Sequence, residues 1–247
     1  MFTVEERDAV RERLLELAAA DAAVVGAAIT GSHAAGAADR WSDVDLMFGV
    51  DGPPEATMRR WTERLYDDFD AVHHWDLPSG PAVYRVFLLR TGLEVDLGFA
   101  PAADFGPHGP RWRTVFGDAA PLRPFPAAEP ADLAGLAWHH ALHARACVER
   151  GRWWQAEQWI AALRGHVLGL ACLRLGHPAG YAKGAHLLPD EVTAPLADAL
   201  VRTLDPGELR RALAAAVAAL TAELARTDPA LARRLRPVLD DVSGAGP

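Results

Sequence analysis

The chain has 247 residues, half of them hydrophobic, which is enough for one large domain or two small ones with a sizeable core. Lysine and arginine number 25 and acidic residues 33, so the net charge is −8. This balance argues against nucleic acid as the main partner, because phosphate backbones bind basic surfaces. It is compatible with a cationic or neutral substrate, and equally with plain solubility.

The N-terminal residues are acidic and lack the apolar core of a signal peptide. No apolar run reaches the roughly 20 residues that a bilayer-spanning helix needs. Cys147 and Cys172 fall in apolar helical patterns, which favours buried free thiols over a disulfide. The sequence therefore predicts a cytoplasmic protein without a membrane partner.

The N-terminal part has the pattern of a mixed sheet with flanking helices. Thr3 and Glu6 form a capping box that predicts the start of the first helix. An amphipathic helix is predicted after the turn at 51–54. Apolar runs predict four strands, at 24–30, 44–50, 83–89 and 93–99. The short segment 90–92 joins the last two strands as a hairpin.

Four prolines between residues 118 and 130 predict a stiff linker, and the pattern after it is almost purely helical. Helices are predicted to begin near Asp132, Trp153, Pro189, Asp205 and Ala230. Asp205 is expected to cap its helix, with Pro206 at the first helical position. The predicted fold class is α+β: a sheet domain at 1–117, the linker at 118–130, a helical bundle at 131–242 and a disordered tail at 243–247.

Asp43 and Asp45 are the residues with the strongest chemical signal. They flank Val44 at the start of an apolar run, so period-two alternation places both carboxylates on one face of a strand. Two adjacent carboxylates repel each other unless a cation shares them. Oxygen-only ligands favour Mg²⁺, so this pair predicts a metal-dependent phosphate chemistry.

Two further features surround this pair. Gly31-Ser32 ends the strand at 24–30, where glycine lets the backbone approach a ligand and Ser32 adds a hydroxyl. If a helix follows, its free N–H groups form an anion site. Asp96 lies in the apolar strand at 93–99, on the same face as Glu94. If that strand lies beside the Asp43 and Asp45 strand, three carboxylates converge.

Gly31-Ser32, Asp43-Val44-Asp45 and Val95-Asp96-Leu97, in this order and at these spacings, resemble the nucleotidyltransferase superfamily that includes DNA polymerase beta. Gly36 and Ser42 make the string most similar to the aminoglycoside nucleotidyltransferases. The resemblance covers residues 24–100, and a helical C-terminal domain is also similar to that branch.

The resemblance implies transfer of a nucleoside monophosphate, AMP from ATP, to a hydroxyl of a small molecule, with release of pyrophosphate. Asp43 and Asp45 would hold two Mg²⁺ ions and Asp96 one of them. Asp96 is the first candidate for the general base, and Glu157 is the second. The acceptor would be a small hydroxylated molecule, which can be cationic, such as an aminoglycoside.

Lys183 lies in a predicted break between helices, where it could bind the triphosphate together with Gly31 and Ser32; similar lysines occur in the resembling enzymes. Arg164 could assist it. The alternative for Lys183 is a solvated surface lysine.

His139 and His143 are four residues apart on one predicted helix, a spacing that suits zinc, but no cysteine or acid completes the site. They are therefore predicted to be ordinary helix-surface or packing residues. Trp153, Trp154 and Trp159 are predicted to be core residues.

Two other functions remain open at this level. One is nucleotidylation of a protein or RNA end, as in minimal nucleotidyltransferase antitoxins, which are usually shorter chains. The other is nucleotide sensing without catalysis, against which three intact aspartates argue.

Overall fold

The computed structural model describes residues 1–244. The chain divides into two compact units, and the boundary between Pro126 and Ala127 falls inside the proline-rich segment 118–130. Residues 117–129 have no regular secondary structure. The Ala120 and Arg123 amides donate hydrogen bonds to the Phe105 and Pro107 carbonyls, so the start of this segment is attached to the first unit.

Three α-helices and six strands form most of residues 1–126. They are α1 (Val4–Ala20), β1 (Val24–Thr30), α2 (Gly31–Ala34), β2 (Val44–Val50), α3 (Pro54–Phe69), β3 (Ala71–Ser79), β4 (Ala82–Leu89), β5 (Glu94–Pro101) and β6 (Trp112–Phe116). The strands make one mixed sheet in the order β3-β4-β5-β2-β1-β6. Only β2 and β5 pair in parallel; the other pairs are antiparallel.

The larger core of this unit covers one face of the sheet. Trp61 and Leu65 of α3 and Leu14 of α1 pack there against Phe48 and Phe99, with the Phe48 and Trp61 rings 4.8 Å apart. The predicted capping box is confirmed at α1: Glu6 N–H donates to Thr3 Oγ1, and Thr3 N–H donates to Glu6 Oε2. Helices α1 and α3 therefore leave the opposite face of the sheet free for other residues.

Strands β3 and β6 are the elements that the sequence pattern did not predict. Both lie at the edges of the sheet, and most of their residues are exposed or half-buried. β3 also contains Pro78, which edge strands tolerate. An edge strand buries few side chains, so it lacks the apolar signal that marked β1 and β2.

Five α-helices form most of the described part of the second unit: α4 (Pro130–Glu149), α5 (Trp153–Arg174), α6 (Asp190–Ala197), α7 (Pro206–Thr227) and α8 (Pro229–Ser243). The α+β fold class, a mixed sheet followed by a helical region, is thus confirmed. The core of these helices is rich in alanine. The buried carboxylate of Glu223 pairs with the more exposed Arg174, whose Nε lies 2.6 Å from Glu223 Oε1.

Two details differ from expectation. Asp205 precedes α7 but makes no side-chain cap; its carboxylate accepts a hydrogen bond from the Thr203 hydroxyl instead. At the C-terminus, Ser243 ends α8 and Gly244 is its left-handed cap, while positions 245–247 of the expected tail lie outside the described residues. Within residues 1–244, every helix is too short or too polar to cross a membrane.

Candidate active site

Three aspartates converge on the sheet face that α1 and α3 leave free. Asp43 immediately precedes β2, Asp45 lies within β2, and Asp96 lies on β5 directly opposite Asp45 in the parallel register. One carboxylate oxygen from each lies within 4.8 Å of the other two. Among residues 1–244, these three aspartates are the one cluster of three or more His, Cys, Asp or Glu side chains whose ligand atoms lie close enough together to hold a metal ion.

The environment of Asp96 is unfavourable for a bare carboxylate. Burial, followed by the charges of Glu94 and Asp43, raises the pKa of Asp96 to about 7. Its Oδ1 atom is buried and has no hydrogen-bond partner among the described residues. Buried polar atoms are normally paired, so an unsatisfied carboxylate oxygen beside two other acids fits a bound cation.

Gly31 and Ser32 border this group from the end of β1. Gly31 has φ of +63°, and a Cβ on it would lie 2.7 Å from Asp45 Cγ and closer still to Oδ2. Only glycine therefore allows the chain to turn into α2 against the Asp45 carboxylate. The Ser32 hydroxyl is buried and unpaired among the described residues, so it is available to a ligand.

The loop before Asp43 is fixed by Arg7 of α1, which the sequence analysis did not single out. Arg7 is 3% exposed, and its guanidinium donates hydrogen bonds to the carbonyls of Asp39 and Ser42. The Asp39 carboxylate accepts from the Trp41 N–H and the Ser42 hydroxyl. These bonds set the position from which Asp43 enters the site. The burial of Arg7 is a property of the fold, and nothing beside it in the sequence indicates it.

Tyr84 of β4 is a second residue that sequence reasoning missed. A Cβ on Gly98 would lie 3.1 Å from the Tyr84 ring, so the ring packs over Gly98 on the face that carries the acids. Burial, and then the charges of Asp45 and Asp96, raise the pKa of Tyr84. Its phenol therefore stays protonated beside the carboxylates.

The remaining predicted site residues belong to the second unit. Lys183 is exposed and follows Tyr181 and Ala182, which have φ of 53° and 55°. Consecutive non-glycine residues in the left-handed region are strained, a feature that clusters at ligand-binding segments. Lys183 is also the only lysine of the chain. Glu157 is half-buried on α5, and the roles of both residues remain predictions.

The other residues considered from the sequence are Arg164, the histidines of α4 and three tryptophans. The Arg164 guanidinium donates to the Ala199 carbonyl, which gives it a structural partner. His140 and His166 contact each other through ring nitrogens 3.0 Å apart, and the histidines of α4 form no three-ligand group among the described residues. Trp154 is 77% exposed, so its prediction as a core residue was wrong, whereas Trp153 and Trp159 pack against the helical core.

Comparisons with known proteins add a distant likeness. No protein-family model matches the chain, and no curated protein matches it in sequence. Among solved structures, the chain is similar to an aminoglycoside 6-adenyltransferase from Bacillus subtilis, with 13% identity and a TM-score of 0.41 over 98% of this chain and 99% of that one. A likeness at this level carries no argument about this chain, and the chemistry is argued from the site.

Proposed function

We propose that this chain is a Mg²⁺-dependent nucleotidyltransferase that moves AMP from ATP to a hydroxyl of a small molecule, such as an aminoglycoside, and releases pyrophosphate. The observation that carries the proposal is the meeting of Asp43, Asp45 and Asp96 within 4.8 Å, with Asp96 Oδ1 buried and unpaired among the described residues. Adjacent carboxylates on a sheet do not stabilise its packing, because without a cation their mutual repulsion costs free energy.

Asp43 and Asp45 would hold two Mg²⁺ ions, and Asp96 would share one of them. When bound, the ions neutralise the carboxylates, hold triphosphate oxygens and offset the charge that develops at the α-phosphorus. Arg7 keeps the preceding loop in place through Asp39 and Ser42, so that Asp43 needs little reorganisation on binding.

Nucleotide binding is assigned to Gly31, Ser32 and Lys183. Gly31 has no side chain, so its backbone lies directly against the Asp45 carboxylate. The Ser32 hydroxyl, unpaired among the described residues, can donate a hydrogen bond to a phosphate oxygen. Lys183, which lies in an exposed, strained segment, is the proposed positive charge for the triphosphate. Its role rests on sequence resemblance, residue type and strain.

The reaction conserves atoms and charge in a single displacement. The acceptor oxygen forms a bond to the α-phosphorus, and the bond from that phosphorus to the oxygen bridging to the β-phosphate breaks. Pyrophosphate leaves with the electron pair. We assign Asp96 as the first candidate for the base that takes the acceptor proton, and Glu157 as the second.

The proposed acceptor is a small hydroxylated molecule that can be cationic. The net charge of −8 suits a polycationic molecule, and the sequence motifs are most similar to enzymes that modify aminoglycosides. The presence of ATP and Mg²⁺ in the cytoplasm makes that the expected compartment.

A pyrophosphate-release screen tests the proposal. Purified protein is given ATP and Mg²⁺ with aminoglycosides, lincosamides and other hydroxylated metabolites, one at a time. Asp45→Asn should lower release by about a hundredfold or more, because it removes a charge shared with the cation. Asp51→Asn, an exposed acid just past the other end of β2, is the matched control and should behave as wild type.

The possible results separate the candidate functions. Near-normal turnover of Asp45→Asn would refute the metal mechanism. Tight ATP binding without release on any small molecule would favour modification of a protein or RNA, or nucleotide sensing.

A further inference from the structure

The sheet face that carries the acidic group extends beyond Asp96 across β4 and β3. Asp96 lies opposite Val86 of β4, and Val86 lies opposite Trp75 of β3. Directly opposed residues in an antiparallel pair point to the same side of a sheet. Trp75 therefore shares a face with Asp96 at a distance of two strand spacings, or about 10 Å.

This outer part of the face is apolar and open. Trp75, Leu77 and Leu88 are 53%, 47% and 46% exposed, and the register places all three on the side of Asp96. Large apolar side chains grouped on an edge of a sheet are unusual, because such edges invite aggregation unless they are used.

The opposite side of the same two strands is occupied. Arg85 Nη2 lies 2.7 Å from Asp76 Oδ2, and His74 packs on Phe87 and accepts or donates a hydrogen bond with Tyr66. On that side these charged and aromatic side chains have partners, whereas Trp75, Leu77 and Leu88 form an open apolar surface on the side that carries the acids.

The direction of the proposed reaction gives this apolar surface a role, and that role rests on the proposed function. Gly31 and Ser32, assigned to the phosphates, lie on the β1 side of β2, whereas Asp96 and then β4 and β3 lie on the other side. In phosphoryl transfer the attacking and leaving oxygens lie roughly in line on opposite sides of the phosphorus. With pyrophosphate leaving toward Gly31 and Ser32, the acceptor approaches from β4 and β3.

We propose that Trp75, with Leu77 and Leu88, is the platform on which the acceptor binds. The chemistry fits a hydroxylated, amine-bearing molecule of two or more linked rings. The apolar face of one ring packs on the indole, and a hydroxyl of another reaches Asp96 about 10 Å away. Glu94, which is exposed and opposite Leu88, offers a negative charge to an amine of the same molecule.

Binding measured without catalysis tests this platform. Streptomycin, kanamycin and spectinomycin are titrated calorimetrically into the protein with EDTA and no nucleotide. For the probe that binds wild type best, Trp75→Ala should weaken binding by about tenfold or more, because the stacking surface is lost. Trp75→Phe should restore most of the affinity. His74→Ala, the neighbouring residue on the opposite side of the strand, should leave it unchanged.

The same variants separate this inference from the proposed function. Equal binding by Trp75→Ala and wild type would overturn the platform while leaving nucleotidyl transfer intact. Binding that depends on Trp75, without pyrophosphate release from ATP and Mg²⁺, would keep the platform and refute the transfer. Failure of all three probes to bind wild type would overturn the ring-bearing amine as the occupant. The affinity of Trp75→Ala for ATP with Mg²⁺ should equal that of wild type, which excludes general misfolding.

Discussion

Gly31 lies directly against the Asp45 carboxylate, because a Cβ at position 31 would be 2.7 Å from Asp45 Cγ. The same residue has φ of +63°, in the left-handed region. One position thus combines a backbone conformation that favours glycine with a contact that only glycine permits. This relationship joins the turn after β1 to the proposed metal ligand of β2.

Replacement of Gly31 by alanine should therefore do more than strain the backbone. We expect a loss of about 1 to 3 kcal/mol in the free energy of unfolding from the left-handed conformation. In addition, the methyl group should displace Asp45 and weaken Mg²⁺ binding by about tenfold or more. Urea unfolding and Mg²⁺ calorimetry measure the two effects.

Gly36→Ala is the matched control for that prediction. Gly36 has φ of +65°, but a Cβ there meets nothing within 4 Å. It should show the loss of stability and keep the Mg²⁺ affinity of wild type. Equal Mg²⁺ affinity in both variants would contradict the role given to Gly31.

Arg7 is expected to position Asp43 through the loop before β2. Arg7→Met keeps the apolar stem of the side chain but removes the guanidinium that donates to the Asp39 and Ser42 carbonyls. We expect a loss of about 2 to 3 kcal/mol in the free energy of unfolding, together with weaker Mg²⁺ binding. Arg13→Met, on the exposed side of the same helix, should change stability by less than about 0.5 kcal/mol. Mg²⁺ affinity unaffected by Arg7→Met would reduce Arg7 to a purely structural residue.

The raised pKa of Asp96 predicts how pH acts on the protein without metal. Between its ordinary value of 3.8 and about 7, the folded chain binds a proton that the unfolded chain has released. The free energy of unfolding contributed by this group is therefore highest at low pH and falls as pH rises toward 7. Other groups titrate in the same range, so the measurement is a difference: in EDTA, the free energy of unfolding of wild type minus that of Asp96→Asn should fall as pH rises from about 4 to about 7.

The same proton competes with Mg²⁺ for Asp96. Below about pH 7, each decrease of one pH unit should lower the apparent Mg²⁺ affinity by up to about tenfold, because Asp96 must lose its proton before the ion binds. Mg²⁺ titrations across this range give the slope directly. An affinity that does not change with pH would place the ion away from Asp96.

Lys183 can be tested selectively because the chain has no other lysine. Amine acylation followed by mass spectrometry reports on Lys183 and the N-terminal amine alone. Saturating ATP with Mg²⁺ should slow acylation of Lys183 by about tenfold or more and leave the N-terminus as an internal control. Lys183→Ala should weaken ATP binding by about tenfold without affecting Mg²⁺ binding, and Lys183→Arg should retain part of the affinity. Unprotected Lys183 would remove it from the nucleotide site.

Short-range features were the ones that sequence patterns predicted well. The capping box at Thr3, the buried strands at 24–30 and 44–50 and the start of α7 after Asp205 all depend on residues within a few positions of each other. The edge strands β3 and β6 were not predicted, because strands with mostly exposed residues show little apolar periodicity. Tyr84 and Arg7 were missed because nothing beside them in the sequence shows that Tyr84 shares a face with the aspartates or that Arg7 binds the loop before Asp43.

The sequence by itself determined which residue types stand at which local elements, since capping, apolar alternation and glycine turns act between near neighbours. It placed Asp43 and Asp45 on one strand and Asp96 on another. Only the tertiary structure decided that β2 and β5 are parallel neighbours in a register that sets Asp45 opposite Asp96, and that Trp75 continues the same face. Strand order brings Asp45 and Asp96 together, although they are some 50 residues apart in the chain. The pKa of Asp96 is raised only because the folded sheet buries its carboxyl beside other acids.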